Sequence, residues 1–138
     1  MIVLDASVAL KWIFADEDGA EAALAIRDTH ISGENEVAVP SLFFYEVANV
    51  LATKVRLSAT EAQAAFRLFW DFEFQVCDLD GDDFLEAMRI SHNARISVYD
   101  ACYLVPALRL GCKMATADLK FKEKVSRHGS VELIGEGG

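Results

Sequence analysis

The sequence predicts an α/β fold: a central, mostly parallel sheet of about five strands with helices on both faces. Three observations carry this. Short apolar runs alternate along the chain with longer stretches of helical periodicity. The helical stretches are punctuated by Ser or Asp at their starts and by Gly111 at one end. The apolar runs are near-continuous rather than alternating, as expected for strands buried on both sides.

In order, Ile2–Leu4 reads as a buried strand followed by a helix through Lys11-Trp12-Ile13. Ala20–Ile31 reads as a helix introduced by the acidic turn Asp16-Glu17-Asp18-Gly19, since acids complement a helix N-terminus. Val37–Val39, closed by Pro40, is the second strand. Ser41 can cap a helix to about Arg56, and Ser58 another through Trp70. Phe74–Leu79 is the third strand, then Gly81–Asn93 and Val98–Leu110 are helices, with Gly111 supplying the left-handed residue that ends the latter. Met114–Thr116 is the fourth strand, Leu119–His128 a helix, and Val131–Ile134 the last strand. One domain over 1–134 is expected, with 135–138 a short loose tail.

With 138 residues, 53% of them hydrophobic and 25% charged, the chain can bury a substantial core. Its apolar runs all fall short of the roughly 18 residues a membrane helix needs, and the N-terminus lacks a signal-peptide pattern. Cys77, Cys102 and Cys112 are odd in number and widely spaced, which fits reduced, mostly buried thiols and a cytoplasmic protein. The net charge of −9 argues against a general nucleic-acid-binding surface. It leaves room for a nucleic-acid enzyme, because bound cations invert the local sign. Lys120, Lys122, Lys124 and Arg127 offer one cationic rim, or an ordinary solvated helix face.

Four acids are set among apolar residues or in turns beside apolar strands. Asp5 follows Ile2-Val3-Leu4, and Glu46 interrupts Leu42–Tyr45 and Val47-Ala48. Asp100 opens Ala101–Val105, and Asp118 closes Met114–Ala117. Burying a carboxylate is costly unless it is protonated, paired or bound to a cation, and no basic residue adjoins any of the four. In a doubly wound sheet all four can gather beyond the carboxyl ends of the strands, where ligands bind. That pattern suggests a metal cage of hard oxygen donors suited to Mg²⁺ or Mn²⁺ rather than Zn²⁺.

Structural explanations compete. Asp5 and Asp118 can be helix N-caps, and Ser97 with Asp100 makes an S-x-x-D capping pattern. Glu46 escapes this, because Leu42, Phe43 and Val50 put it on an apolar stripe within a helix. The run Asp78–Asp83 is poorly spaced for a calcium loop and reads as a strand-to-helix turn with an acidic cap. No glycine-rich phosphate loop or nucleophile elbow is present, and Tyr99 and Tyr103 read as packing residues. Phe66, Phe69, Trp70, Phe72 and Phe74 read mainly as core, with part available to receive a partner helix.

Four segments together resemble the PIN-domain family: I-V-L-D-A-S-V at Asp5, P-S-L-F-F-Y-E-V-A-N-V at Glu46, V-Y-D-A-C-Y at Asp100 and T-A-D-L-K-F at Asp118. Their order, spacing and the total length are most similar to small stand-alone toxins of type II toxin–antitoxin pairs, the virulence-associated protein C-like ribonucleases. The resemblance implies an α/β/α sandwich, a homodimer, Mg²⁺- or Mn²⁺-dependent RNA cleavage, and a small antitoxin whose tail blocks the site. Carried over by position, Asp5, Glu46, Asp100 and Asp118 are the catalytic, metal-binding acids, with Ser7 and Thr116 polar neighbours beside them. Pro106, inside the helix after Asp100, departs from the family pattern and is expected to kink that helix beyond Asp100.

The expected chemistry is hydrolysis of a phosphodiester by a metal-activated water, leaving a 5′-phosphate and a 3′-hydroxyl. Asp5 and Asp100 are the expected direct ligands, Glu46 orients the water or binds metal through it, and Asp118 completes the cage or holds a second ion. Two alternatives stay open: a non-catalytic module that binds an antitoxin or RNA, and a phosphotransfer enzyme using Asp5 as nucleophile.

Overall fold

The computed structural model describes residues 1–13 and 18–135. Its elements, in chain order, are β1 (Ile2–Leu4), α1 (Ala6–Leu10), α2 (Ala20–Ile31), β2 (Val37–Val39), α3 (Leu42–Thr53), α4 (Ala59–Asp71), β3 (Gln75–Val76), α5 (Gly81–Ala94), α6 (Val98–Leu110), β4 (Lys113–Thr116), α7 (Leu119–Lys124) and β5 (Val131–Leu133). The five strands form one parallel sheet in the order β3-β2-β1-β4-β5. Every residue of β1 and β2 is buried. Since successive strand residues point to opposite faces, helices cover both sides of the sheet's centre. The predicted α/β class and its five strands are therefore those of the molecule.

Strand order reverses between β1 and β4. The chain winds outward through β2 and β3, crosses back by α5 and α6, and lays β4 on the other side of β1, with Val3 opposite Met114. α6 makes that return possible. Ala101–Ala107 are all buried, so it runs under the sheet as a helix apolar all round. It continues unbroken through Pro106 to Gly111, whose φ of 66° ends it in the left-handed region. The expected interruption at Pro106 does not divide the helix; the buried ring is packed as core, and Asp100 stays in the first turn.

Several boundaries move. α1 closes at Leu10, and Lys11–Ile13 form a turn rather than more helix. Ser41 stands at the head of α3 but has helical dihedrals and caps nothing; its N–H donates instead to Asp78 Oδ1 at 3.0 Å. α3 ends at Thr53, short of Arg56, and α7 at Lys124, short of His128. β3 shrinks to two exposed residues at the sheet edge, because only β2 pairs with it. Asp16 and Glu17 of the expected acidic turn lie outside the described residues, as do 136–138 of the expected tail. Gly135 itself is packed: a Cβ on Gly19, which has φ +81°, would stand 2.5 Å from Gly135 Cα.

Other expectations hold. Ser58 with Glu61 and Asp80 with Asp83 close complete capping boxes on α4 and α5. The cysteines are free, with Cys77 and Cys102 buried. His30 is a structural bridge: Nδ1 accepts the Val37 N–H at 3.0 Å, which leaves Nε2 to donate to Phe72 O at 2.7 Å. Trp12 stacks on Phe69 and meets Phe72 and Phe74 edge-on or tilted, so most of the aromatic run is core, as expected. Tyr99 is not; at 66% exposure it lies on the surface beside Asp100. Among the described residues no helix is long and apolar enough to cross a membrane.

Candidate active site

The reversal between β1 and β4 puts two turns side by side at the carboxyl edge of the sheet, and Asp5 and Asp118 head the helices leaving them. Asp5 has extended dihedrals and caps α1, its N–H still in register with Ala115 O at 3.2 Å. Its Oδ1 accepts from Ser7 Oγ at 2.5 Å and from Val8 N at 3.3 Å, and its Oδ2 accepts from Thr116 Oγ1 at 2.5 Å. Ser7 Oγ in turn accepts from Ala117 N, and Thr116 Oγ1 from Asp118 N, both at 3.1 Å. The two hydroxyls thus stitch one turn to the other through Asp5. Thr116 is fully buried, so its hydroxyl has no water to fall back on.

Asp118 caps α7 by accepting from Phe121 N at 3.1 Å, so the capping reading of Asp5 and Asp118 is correct as far as it goes. It accounts for one oxygen of Asp118. For Asp100 it accounts for less: α6 keeps only the first half of a capping box, Ser97 Oγ accepting from Asp100 N at 3.0 Å. Asp100 lies at an exposed position, its carboxylate partly shielded by its neighbours.

Glu46 lies half-buried on α3, and its neighbour is a residue that the sequence pattern marks only as packing. The buried Tyr103 of α6, one turn beyond Asp100, donates its hydroxyl hydrogen to Glu46 Oε1. The available signal was spacing: Tyr103 is at i+3 from Asp100 and so shares its helix face.

Charge ties the four together. Burial pushes the Asp5 carboxyl up to about 6, against the pull of the Ser7, Thr116 and Val8 hydrogen bonds, and the Asp100 charge adds to the rise. Glu46 is raised by burial and by Asp100, with the Tyr103 hydroxyl opposing. Asp100 is raised by burial and by Asp118, while the Ser97 hydroxyl and the Lys124 ammonium draw it down. Asp100 is therefore the hub through which Asp5, Glu46 and Asp118 are coupled. Of the expected cationic rim, Lys124 stands at this hub, its Nζ donating to Arg95 O at 3.3 Å.

The side chains do not form a closed cage. Among the described residues, no three His, Cys, Asp or Glu groups are gathered closely enough to hold a metal ion as they stand. Asp100 and Asp118 lie at exposed positions, Asp118 with one oxygen held by the Phe121 N–H, whereas Asp5 is pinned by three donors. The donor set still fits a hard divalent cation. It consists of carboxylates alone, and the ion pairs among the described residues (Arg27–Asp28, Arg89–Glu86 and Arg109–Asp83) involve none of the four.

Comparison with known proteins agrees with this fold. The PIN domain model matches residues 2–125. Ribonuclease VapC3 of Pyrobaculum aerophilum is 29% identical over 128 residues, covering 89% of this chain and 93% of that protein. Among solved structures, VapBC2 from Rickettsia felis, bound to a DNA fragment from its promoter, superposes with a TM-score of 0.71 at 14% identity, covering 96% of this chain and 98% of the other. A toxin-antitoxin complex from Klebsiella pneumoniae gives 0.68 at 14% identity, with 96% of each chain covered. At such identities the structural likeness speaks for the fold, and the family match spans nearly the whole chain. The chain belongs to the PIN domain family.

Proposed function

We propose that this protein is a metal-dependent endoribonuclease, the toxin of a type II toxin–antitoxin pair. The observation that carries the reading is that Asp100 acts by charge on Asp5 and Glu46 and is itself acted on by Asp118, near the strand-order reversal, with none of the four in an ion pair among the described residues. The similarity to a curated ribonuclease supports RNA as substrate.

Asp5 and Asp100 would hold Mg²⁺ or Mn²⁺ directly, with Asp5 fixed by its three donors. Glu46 orients the attacking water, Asp118 completes the set, and Ser7 and Thr116 hold Asp5 in place. Such an ion, when bound, would supply an acidified water and stabilise charge developing on the phosphodiester. Attack in line at phosphorus leaves a 5′-phosphate on one product and a 3′-hydroxyl on the other. The test is RNA cleavage by the purified, partner-free chain with Mg²⁺, Mn²⁺ or EDTA. Cleavage is expected with either metal and absent in EDTA; cleavage unchanged by EDTA would sink the reading.

Two surfaces suit the expected partners. Ala48, Leu51, Ala52, Ala62, Phe66 and Trp70 line a groove of about 710 Å³ between α3 and α4, wide enough for the apolar face of an antitoxin helix. Tyr45, Phe84 and Tyr99 are exposed and line one cleft, with Leu85 and Met88 exposed on the same helix as Phe84, an apolar surface that a second copy would cover in a homodimer. In sedimentation the chain alone is expected to run as a dimer. Trp70→Ala is expected to weaken binding of the cognate antitoxin about 10-fold or more, as for an aromatic anchor, without altering that dimer. Unchanged affinity, or a monomer, counts against the corresponding surface. The free thiols suit a reducing cytoplasm.

A further inference from the structure

We infer that Tyr103 is the positioning residue for Glu46, its hydroxyl holding Oε1 on α3 and leaving Oε2 open to a ligand. The inference rests on the metal-binding reading above and assigns a role to a residue outside the four acids.

Tyr103 is 1% exposed, in a stretch of α6 where every neighbour is apolar core. A phenol there needs an acceptor, and Glu46 Oε1 is the one it has. The pairing spans 57 residues and joins α3 to α6 at the level of the acids. Burial above all, then the hydrogen bond to Glu46 and the charges of Glu46, Asp5 and Asp100, oppose ionisation of the Tyr103 hydroxyl. That places one proton donor among three carboxylates, committed to one of them. A phenol has a single proton to give, so Asp5 and Asp100 take nothing from it.

The consequence for Glu46 is geometric. A glutamate has three side-chain torsions, and ordering it without a partner is entropically costly. With Oε1 held, the carboxylate plane is fixed. Oε2 takes no hydrogen bond among the described residues, and no buried side-chain oxygen there lacks a partner, so Oε2 opens to solvent. Asp100 raises Glu46 from that cleft. The tyrosine thus does for Glu46 what Ser7 and Thr116 do for Asp5.

The experiment is a Mn²⁺ titration by calorimetry of the full chain, its Tyr103→Phe and Glu46→Gln variants, and the double variant, with metal-free melting recorded for each. Phenylalanine keeps the ring in the core and removes only the donor. Tyr103→Phe is expected to weaken Mn²⁺ binding about 10-fold, the lower end for partners that orient a ligand. In the Glu46→Gln background it is expected to add no further weakening, because its effect passes through that carboxylate. Wild-type affinity in Tyr103→Phe, or the same loss in both backgrounds, overturns the inference and leaves the function reading intact. If the unaltered chain binds no Mn²⁺, both fall together. Should Tyr103→Phe fail to melt cooperatively, Glu46→Asp carries the test: it keeps the charge but draws it back from the hydroxyl. An equal loss of affinity then supports the role, and none refutes it.

Discussion

Replacing Asp5 with Asn is expected to abolish metal-dependent RNA cleavage and, at neutral pH without metal, to make the protein more stable. Cleavage should fall by at least about 100-fold, the upper end of losses seen when only a supporting partner of a metal ligand is removed. The stability gain follows from the Asp5 carboxyl being raised from 3.8 to about 6. A carboxyl raised on folding favours the native state below its ordinary pKa, and the advantage is lost as pH climbs through the folded value. Between about pH 4 and 7 the native protein should therefore lose stability from this group, which burial makes reluctant to ionise. A tenfold change in an acid's ionisation constant corresponds to about 1.36 kcal/mol. Asparagine has no charge to bury but fits the Ser7 and Thr116 donors less well. The net gain at pH 7 should be about 2 kcal/mol, with a flatter pH profile. Urea unfolding in EDTA at several pH values measures both; a variant no more stable than its parent at pH 7 contradicts the assigned burial cost.

Thr116→Val is expected to act in the opposite sense. The hydroxyl is fully buried, donates to Asp5 Oδ2 and accepts from Asp118 N, so valine strips a partner from each while filling nearly the same space. Leaving buried polar groups unpaired costs about 1–3 kcal/mol, and more where one is charged. A loss of about 3 kcal/mol is reasonable for this pair, with Thr116→Ser recovering most of it. Part of the penalty is the bereft Asp5 charge, so Thr116→Val should cost less in the Asp5→Asn background than alone. Equal costs in the two backgrounds would mean that the hydroxyl serves the β4–α7 turn and not Asp5. Both variants should melt cooperatively, because the sheet register at Ala115 rests on backbone bonds that neither touches.

Local chemistry was legible where it was local. The α/β class followed from alternating strand and helix patterns. The helix starts at Ser58 and at the acidic turn before α5 followed from capping residues, and the stop at Gly111 from a glycine just past the helix; the return bonds from Glu61 and Asp83 came only with the structure. The four acids were visible because carboxylates in apolar settings break a pattern, and Glu46 most clearly because no cap accounts for it. The ends of α3 and α7 and the brevity of β3 were not legible. Those depend on how far neighbouring elements extend: β3 has a ladder partner on one side only, so pairing stops with Val76.

What the sequence alone determined was therefore the kind of fold and the identity of the unusual carboxylates, since periodicity and polarity are properties of neighbours along a chain. Only the tertiary structure decided which acids are anchored and which are exposed. Asp5 is pinned because the reversal of strand order sets Thr116 beside it across 111 residues, and Glu46 is held because α6 carries Tyr103 up to α3. It also moved Tyr99, read as packing, out to the surface beside Asp100. Hydrogen-bond partners and burial are set by which elements meet in space, and spacing along the chain carries no record of that when the partners lie 57 or 111 residues apart.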